Sequence, residues 1–515
     1  MIAGATAWLD ERLGRISMYR LLTLGLGSIA VIAVLLGATG TLAFAPLDML
    51  LSLAVAVASS AVSGFLIARA FRVEPHAEST LITGLILFFL FWPTSEPRYL
   101  GALALAAVLA NLSKYVIAWR GRHLLNPAAA GALVIGLSGL DVATWWVADR
   151  ALLIPVLVLA VLIVARTRTV ALVGGFTVVA LLAIAIRLSA EGQALGPALW
   201  TVVTSYPVLF LGAVMLTEPL TLPPRRWQRL VEAALVGVLL AIPFTIGPVA
   251  SSPELALVVG NLFAFAWGQR GAIRLTLIES RRIGPRTREL RLRADRPLRF
   301  RPGQYLELTV PHDHPDARGT RRVFSISSAP GEGELTVALT IPERPSSFKR
   351  ALADLPVGAP LRATGVAGDF LLPDDRRPVL LIAGGIGVTP FASQIAAGIT
   401  GTPATAKDSG EGETTRDAVL LHAVADHGDL AYADVFRAGG VRVLVASPTP
   451  QATLPPGYLH LGIDRLTVEA LIESVPDLDL RIAYVSGPPA MVDHTRALLR
   501  AAGVRRVRTD AFSGY

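Results

Sequence analysis

Residues 322–328 have the sequence Arg-Val-Phe-Ser-Ile-Ser-Ser, between a strand-like run and a turn at Pro330-Gly331. Alternate side chains of a strand share one face, so Arg322 and Phe324 can line one ligand. Arg322 would face a phosphate and Phe324 a ring system, while the Ser325 hydroxyl bonds a ring-edge nitrogen. This spacing suits a flavin held by an antiparallel barrel, although a plain strand can carry the same residues.

Two later stretches each consist of an apolar strand, a glycine turn and a helix start. The first is 380–391, in which Gly384-Gly385-Ile386-Gly387 precedes Thr389-Pro390. The second is 483–491, with Ser486-Gly487-Pro488-Pro489 as its turn. Such turns let backbone N–H groups approach a diphosphate at a helix N-terminus. Tight packing of a strand on a helix is the alternative reason for a Gly-Gly-x-Gly turn.

In this order the three stretches resemble the ferredoxin–NADP reductase family. The resemblance implies that the first stretch binds FAD and that the other two bind a nicotinamide nucleotide. The implied cofactor-binding residues are Arg322, Val323, Phe324, Ser325, Gly384, Gly385, Gly387, Thr389, Pro390, Gly487, Pro488 and Met491. The implied residues beside the reacting rings are Ser325, Ser486 and Phe512.

This chain departs from the family at one of these positions. The family usually has cysteine where Ser486 stands, so this chain keeps a small polar group there but not the thiol, and hydride transfer is still expected. Phe512 and Tyr515 resemble the C-terminal aromatics that cover the flavin, and two core aromatics are the alternative.

The segment around these motifs predicts an antiparallel β-barrel. Short runs with period-two alternation recur from 271 to 375, for example 305–310 and 334–340. Pro302-Gly303-Gln304-Tyr305 also matches the reductase pattern. A short helix is expected after Pro345, where Ser346, Ser347 and free N–H groups suit a pyrophosphate. An ordinary N-cap fits Ser346 equally well.

From residue 376 onward strands alternate with helices, which predicts a doubly wound parallel sheet. The expected strands are 379–383, 418–424, 441–446 and 481–485. The polar segment 400–415 is expected to be a disordered surface insertion.

Charge divides the chain at residue 268. Residues 1–268 carry 16 Lys or Arg and 12 Asp or Glu, whereas residues 269–515 carry 31 and 27. We therefore expect four parts: a cytoplasmic N-terminus at 1–20, a membrane domain at 21–268, a FAD domain at 271–375 and a nucleotide domain at 376–515. No basic stripe with interleaved aromatics is present, so nucleic acid is a poor candidate partner.

The residue inventory limits the redox chemistry. The chain has no cysteine, which excludes thiolate-bound clusters, thiolate metal sites and disulfides. None of the eight histidines lies inside an apolar run, which argues against a membrane haem. We predict no metal site. The first apolar run lacks a small-residue cleavage site, so a removed signal peptide is not expected.

Ten apolar runs predict about ten membrane spans. They are 21–40, 47–68, 79–93, 99–119, 127–140, 151–165, 169–187, 196–216, 228–246 and 253–268. With an even count, fourteen loop arginines fall on one side and three on the other. This bias predicts a multi-pass cell-membrane protein with both termini in the cytoplasm.

Two polar stretches interrupt the apolar runs. Gly121 to Ala129 reads Gly-Arg-His-Leu-Leu-Asn-Pro-Ala-Ala, and Met215 to Thr221 reads Met-Leu-Thr-Glu-Pro-Leu-Thr. Asn-Pro and Glu-Pro break helices, and broken helices in membranes often build cofactor or ion sites. Capped loop ends are the alternative. Both stretches resemble motifs of the RnfD/NqrB family, membrane components of the Rnf electron-transport complex and of the sodium-pumping NADH:quinone oxidoreductase, which implies electron transfer through flavin or quinone.

Members of that membrane family attach FMN to a threonine in a Ser-Gly-Ala-Thr type motif, and this chain departs from that motif. Thr144 follows Ser138-Gly139-Leu140-Asp141-Val142-Ala143 and precedes two tryptophans. Thr217 precedes Glu218, whose charge would repel a phosphate. We therefore predict no covalent FMN.

Taken together, the motifs predict that NAD(P)H reduces FAD, which passes electrons to a quinone, second flavin or partner redox protein in or across the lipid bilayer. NADH is preferred over NADPH, because Asp426 and Asp429 would repel the extra phosphate and Ala425 replaces an arginine or serine of NADPH-using relatives. An ion-translocating transporter with a regulatory flavin module is the alternative. A haem-type ferric reductase or oxidase is a third interpretation.

Overall fold

The structure is a computed structural model that describes residues 13, 16–73, 76–119, 122–267, 272–316, 318–331, 334–373, 375, 377–399, 416–448, 454–462 and 466–512. The predicted surface insertion at 400–415 lies outside these ranges. Two compact units are present, a helical one within 16–271 and one formed mainly by 272–515.

Each apolar run of the first unit forms helix. The helices are Met18–Ala38, Pro46–Ala70, Ala77–Leu90, Pro97–Val116, Pro127–Ser138, Leu153–Thr167 after a 3-10 turn at Arg150–Leu152, Val170–Ala190, Leu195–Ser205, Val208–Phe210 with a π-helical turn at Leu211–Met215, Arg226–Ala241 and Pro253–Ala266. Two small hairpins join neighbouring helices: β1 (Ala118–Trp119) with β2 (Arg122–His123), and β3 (Thr245–Ile246) with β4 (Val249–Ala250).

The prediction of ten spans is wrong. Among the described residues, five helices are long and apolar enough to cross a membrane: Met18–Ala38, Pro46–Ala70, Pro97–Val116, Arg150–Thr167 and Val170–Ala190. A sixth results if Leu195–Ser205 and Val208–Met215, bent by 56°, form one span. Three further apolar helices have only 14, 12 and 14 residues, against the roughly 20 that a bilayer requires. The prediction that both termini lie in the cytoplasm depended on ten spans, an even number, and the structure does not support that number.

The long helices turn apolar side chains outward and pack through small residues. Val31, Leu35 and Ile186 are each at least 60% exposed, which suits contact with hydrocarbon more than with water. Gly84 lies so close to the helix Pro46–Ala70 that a Cβ atom would stand 2.8 Å from the Ala56 carbonyl oxygen. Small residues allow this close approach of helix backbones.

The second unit begins with an antiparallel sheet of six strands. They are β5 (Ile273–Arg282), β6 (Thr287–Ala294), β7 (Tyr305–Thr309), β8 (Arg321–Ser325), β9 (Glu334–Thr340) and β10 (Pro360–Ala363), in the spatial order β8-β7-β10-β5-β6-β9. Among the described residues of this sheet the edges do not close, so the predicted barrel is not formed there. Ile326, directly after the edge strand β8, forms an isolated bridge with Val337 of the other edge strand, β9.

The second sheet is parallel throughout, as predicted. It contains β11 (Val379–Gly384), β12 (Ala418–Ala423), β13 (Arg442–Ala446), β14 (Tyr458–His460), β15 (Ile482–Gly487) and β16 (Val507–Ala511), in the spatial order β14-β13-β12-β11-β15-β16. Alternate side chains of β11 pack into two separate hydrophobic cores, one on each face of the sheet. Leu381 packs in one with Phe391, and Leu380 packs in the other with Leu499. Apolar cores on both faces are typical of a doubly wound sheet.

Candidate active site

Strand β8 places the predicted flavin-binding residues on two faces. Arg322 and Phe324 are buried on the same face, as the period-two pattern requires, and Phe324 stacks on Phe348 with ring centroids 6.1 Å apart. The Val323 side chain lies on the opposite face and is about half exposed. Arg322 and Phe324 can therefore contact one ligand with their side chains, whereas Val323 can do so only through its backbone.

Arg322 belongs to a cluster of cationic side chains. Its Nη1 donates to the carbonyl oxygens of Arg318 at 2.8 Å and Gly319 at 3.2 Å, and its guanidinium lies over the Phe348 ring at 5.1 Å. Lys349 is mostly buried, and burial together with the charges of Arg318 and Arg322 lowers its pKa to about 8. Crowded cations of this kind favour a polyanion as their partner.

The Ser325 hydroxyl is the polar group that the β8 geometry leaves without a partner. Ser325 is 4% exposed, and its Oγ makes no hydrogen bond to any described residue. Buried hydroxyls are normally hydrogen-bonded. A buried hydroxyl without a partner at the end of β8 therefore fits a ligand with a polar ring edge, as FAD has.

Ser346 and Ser347 begin the helix Ser347–Ala353. Ser346 accepts from the Lys349 N–H at 3.3 Å, which makes it an N-cap. The Ser347 hydroxyl accepts from the Asp316 N–H at 2.9 Å and pairs with His312 Nε2 at 3.0 Å. Asp316 also lies 3.8 Å from Arg322. The Ser347 hydroxyl is thus already engaged, and the N-cap role explains Ser346 without a ligand.

The two predicted glycine turns meet at the carboxyl end of the parallel sheet. A Cβ on Gly387 would stand 2.4 Å from the Ser486 carbonyl oxygen and 2.9 Å from Gly487 Cα. A Cβ on Gly384 would touch Pro488 and Met491, each at 3.1 Å. At Gly387 only glycine permits this approach, because the neighbouring atoms are backbone. Open α/β sheets bind their ligands at this end of the strands.

The backbone of the first glycine turn is open to a ligand around Gly385. Gly385 has a φ of +52°, and a Cβ built on it would meet nothing within 4 Å. Thr389 directs its hydroxyl to the Ile386 carbonyl oxygen at 3.0 Å and starts the helix Thr389–Ile399, with Pro390 in its first turn. The turn therefore offers an open backbone surface at a helix start, which fits a diphosphate.

Ser486 and Phe512 both lie beside the second glycine turn, Ser486 to Pro489. The Ser486 hydroxyl is fully buried and has no hydrogen-bond partner among the described residues. The Phe512 N–H donates to the Gly487 carbonyl oxygen at 3.0 Å, which fixes Phe512 next to the second turn. Tyr515 lies outside the described residues.

The antiparallel and parallel sheets are joined close to these motifs. The Ser393 hydroxyl donates to the Ser328 carbonyl oxygen at 2.6 Å, linking the helix after the glycine turn to the segment after β8. Gln394 donates to the Phe370 carbonyl oxygen at 2.7 Å, and a Cβ on Gly303 would clash with both groups. The three predicted stretches thus converge on one region of the second unit.

Three side chains of this region were missed by sequence reasoning. They are Lys349, Gln394 and His422. His422 is 1% exposed, and its Nε2 lies 2.9 Å from the Gly385 carbonyl oxygen. Burial lowers the pKa of His422 to about 4, against the opposing effects of that bond and of Asp429. Only its place on the strand after the glycine turn could have drawn attention to it.

The charges behind the predicted NADH preference have partners. Asp429 pairs with Arg286, from the turn between β5 and β6. Asp426 accepts from the Gly428 N–H at 2.7 Å. The repulsion expected of Asp429 is therefore reduced, and the prediction depends mainly on Asp426.

In the helical unit, the two polar interruptions are in direct contact. Glu218 pairs with His123 Nε2 at 2.7 Å and accepts from the Asn126 amide at 2.9 Å. Asn126 also caps the helix Pro127–Ser138 by accepting from the Ala129 N–H at 3.2 Å. Capped helix ends and a shared polar cluster are thus both present.

Two further features of this unit bear on the sequence predictions. Glu232 is fully buried next to Asn261, and neither carboxylate oxygen makes a hydrogen bond of normal geometry to a described residue. The hydroxyls of Thr144 and Thr217 donate to the carbonyl oxygens of Leu90 at 3.3 Å and Ala213 at 2.6 Å.

Among the described residues, no group of three or more His, Asp or Glu side chains is placed to hold a metal.

The chain is similar to known reductases and electron transfer components. The chain is 30% identical over 213 residues to the toluate 1,2-dioxygenase electron transfer component of Pseudomonas putida, covering 40% of this chain and 56% of the relative. It is 31% identical over 231 residues to the reductase component of the aromatic O-demethylase of an Amycolatopsis species, covering 42% and 62%. It is 28% identical over 239 residues to a ferredoxin–NAD(P)+ reductase of Metapseudomonas resinovorans, covering 46% and 68%.

The chain thus spans about three fifths of the length of the first two relatives. The matched lengths of 213 to 239 residues are close to the length of the second unit. No family model matches the chain. The resemblance of the helical unit to the RnfD/NqrB family is not confirmed.

Proposed function

We propose that this protein is a membrane-bound flavin oxidoreductase, in which NAD(P)H reduces FAD in the second unit and electrons pass to an acceptor in or across the bilayer. The observation that carries the proposal is the contact of the two glycine turns at the carboxyl end of the parallel sheet. Ser486 and Gly487 pack directly on Gly387 there, and the Ser393–Ser328 hydrogen bond connects this end to the β8 segment.

The roles of the residues follow from their surroundings. Arg322 and Lys349 hold the FAD diphosphate by charge, Phe324 lies along its ring system, and Ser325 bonds the ring edge. FAD supplies, when bound, acceptance of two electrons as hydride and release of electrons one at a time.

The nucleotide substrate is held by the other two motifs. The turn at 384–387 and the start of the helix at Thr389-Pro390 bind the diphosphate of NAD(P)H. Ser486, Gly487, Pro488 and Met491 line the place of the nicotinamide, and Phe512 covers the flavin from the neighbouring strand end. No general base is required, because hydride carries its own electron pair.

The helical unit is the proposed location of the electron acceptor. Five or six helices of sufficient length and apolarity favour a multi-pass location in the cell membrane, with the FAD and nucleotide domains at 271–375 and 376–515 facing the cytoplasm, where NAD(P)H is available. Electrons would then reach a quinone, a second flavin or a partner redox protein at the polar cluster of His123, Asn126 and Glu218.

Ion translocation is the second candidate. It is favoured by Glu232, because a fully buried carboxylate in an apolar unit is costly unless it binds a proton or a cation. A haem-type reductase gains no comparable support. The helical unit contains only His76 and His123, and His123 is paired with Glu218.

The experiment is purification of the full chain, followed by extraction of cofactors and an absorbance spectrum, with NADH oxidation assayed on an artificial electron acceptor. One FAD per chain together with NADH or NADPH oxidation is expected. A haem band, or a flavin-free protein, would overturn the proposal. A second flavin would identify an acceptor within the helical unit.

A further inference from the structure

His422 makes a directional contact with the glycine turn. It lies on β12, opposite Ala383 of β11 in the parallel register, and is almost fully buried. Its Nε2 is 2.9 Å from the Gly385 carbonyl oxygen. A carbonyl oxygen only accepts hydrogen bonds, so Nε2 carries a proton and the ring is the donor.

The carbonyl group that accepts from His422 belongs to Gly385, the residue of the turn whose Cβ position is open. Gly385 has a φ of +52°, with nothing near its Cβ position. In a planar trans peptide the carbonyl oxygen and the following N–H point in opposite directions. Holding the Gly385 carbonyl towards His422 on β12 therefore turns the Ile386 N–H to the side away from β12. That N–H lies in the first turn of the 3-10 helix Gly385–Val388, where no intrahelical partner exists.

We propose that His422 is the positioning residue of the dinucleotide-binding turn, in that its hydrogen bond to Gly385 orients the Ile386 N–H towards the diphosphate of NAD(P)H. This inference rests on the proposed function, which assigns the turn at 384–387 to that diphosphate. His422 touches neither the nucleotide nor the flavin.

The surroundings of the ring support a fixed, uncharged donor. Burial holds the pKa of His422 near 4, so the neutral ring with its proton on Nε2 persists near neutral pH. A neutral donor orients the peptide without placing a buried positive charge beneath the turn. In a purely packing role the ring would be replaceable by phenylalanine of similar shape.

The test compares three variants in the full-length protein. His422→Phe and His422→Leu remove the donor, and His422→Gln retains an N–H that can reach a carbonyl. His460→Phe is the matched control: His460 also lies at the end of a strand in the same sheet and bonds a backbone carbonyl, that of Ser447 at 3.2 Å, two strands away from β12.

The measurements are the kcat and KM for NADH with an artificial acceptor, the inhibition constant of ADP-ribose, which has the diphosphate but no nicotinamide, and the FAD content. The donor-free variants are expected to raise KM and the ADP-ribose constant about tenfold, the loss of one hydrogen bond of about 1.4 kcal/mol. Their kcat and FAD content should stay near those of the wild type. His422→Gln should recover most of the affinity, and His460→Phe should behave as wild type.

Unchanged KM and ADP-ribose constants in both donor-free variants would overturn the proposal. Loss of FAD or of folded protein in both of them, or failure of His422→Gln to recover affinity, would equally overturn it, because His422 would then act through packing. A wild-type protein that neither oxidises NADH nor binds ADP-ribose would instead contradict the proposed function.

Discussion

Gly387→Ala is the substitution whose effect the structure defines most sharply. The added Cβ would stand 2.4 Å from the Ser486 carbonyl oxygen and 2.7 Å from its carbonyl carbon. Both are backbone atoms of the second turn, so the two turns must separate. Overpacking of this kind costs about 1–3 kcal/mol. At about 2–4 °C per kcal/mol for a unit of this size, a cost of 2 kcal/mol lowers the melting temperature by roughly 4–8 °C.

The assay for this variant combines the thermal release of FAD, followed by flavin fluorescence, with the KM for NADH. The KM should rise at least about tenfold if widening the contact costs 1.4 kcal/mol of binding. The FAD content should be retained, since β8 is not disturbed. Gly398→Ala is the control: it lies in the helix Thr389–Ile399, its Cβ position is open, and alanine there should stabilise by up to about 1 kcal/mol. A Gly387→Ala protein with wild-type stability and KM would refute the contact between the turns.

Four further outcomes are expected. Arg322→Ala should purify with little FAD, because a charge-assisted contact is worth about 1.5–3 kcal/mol, whereas Arg321→Ala on the other face of the strand should keep its FAD; full FAD in the first variant would contradict the phosphate assignment. Because burial lowers the pKa of His422 from 6.5 to about 4, the folded protein should lose about 3 kcal/mol of stability as the pH falls from 6.5 to 4. Thermal melts of His422→Gln at several pH values should lack this loss of stability. An equal loss in wild type and variant would refute the prediction. NADH should be the better substrate in a steady-state comparison, because Asp426 repels the extra phosphate, and a tenfold advantage of NADPH would disprove this. No flavin fluorescence should remain on the denatured protein in a gel, whereas a band that vanishes with Thr144→Ala would reveal covalent FMN.

The second unit was largely predictable because its motifs are local. The strands expected at 379–383, 418–424, 441–446 and 481–485 are β11, β12, β13 and β15. Glycine turns and apolar strands are specified by neighbouring residues. β16 was missed because Val507–Ala511 carries Arg508 and Asp510 on an edge strand, without the apolar run of a central one.

The span count failed because hydropathy reveals apolar runs but not where a helix ends. Pro127, after the Asn126 cap, starts a helix of only 12 residues, and the Tyr206-Pro207 break bends the run at 196–216. The role of His422 was also beyond sequence reasoning. Its partner is a carbonyl oxygen 37 residues earlier in the chain, and only the register of β11 and β12 brings the two together.

The most direct test of the central claim is anaerobic titration of the purified full-length protein with NADH, following the flavin absorbance. Transfer of one hydride, with a proton from solvent, should fully reduce the bound FAD at one NADH per FAD. A bound flavin that stays oxidised with both NADH and NADPH, yet is reduced by dithionite, would contradict the assignment of residues 384–390 and 486–491 to the nicotinamide nucleotide.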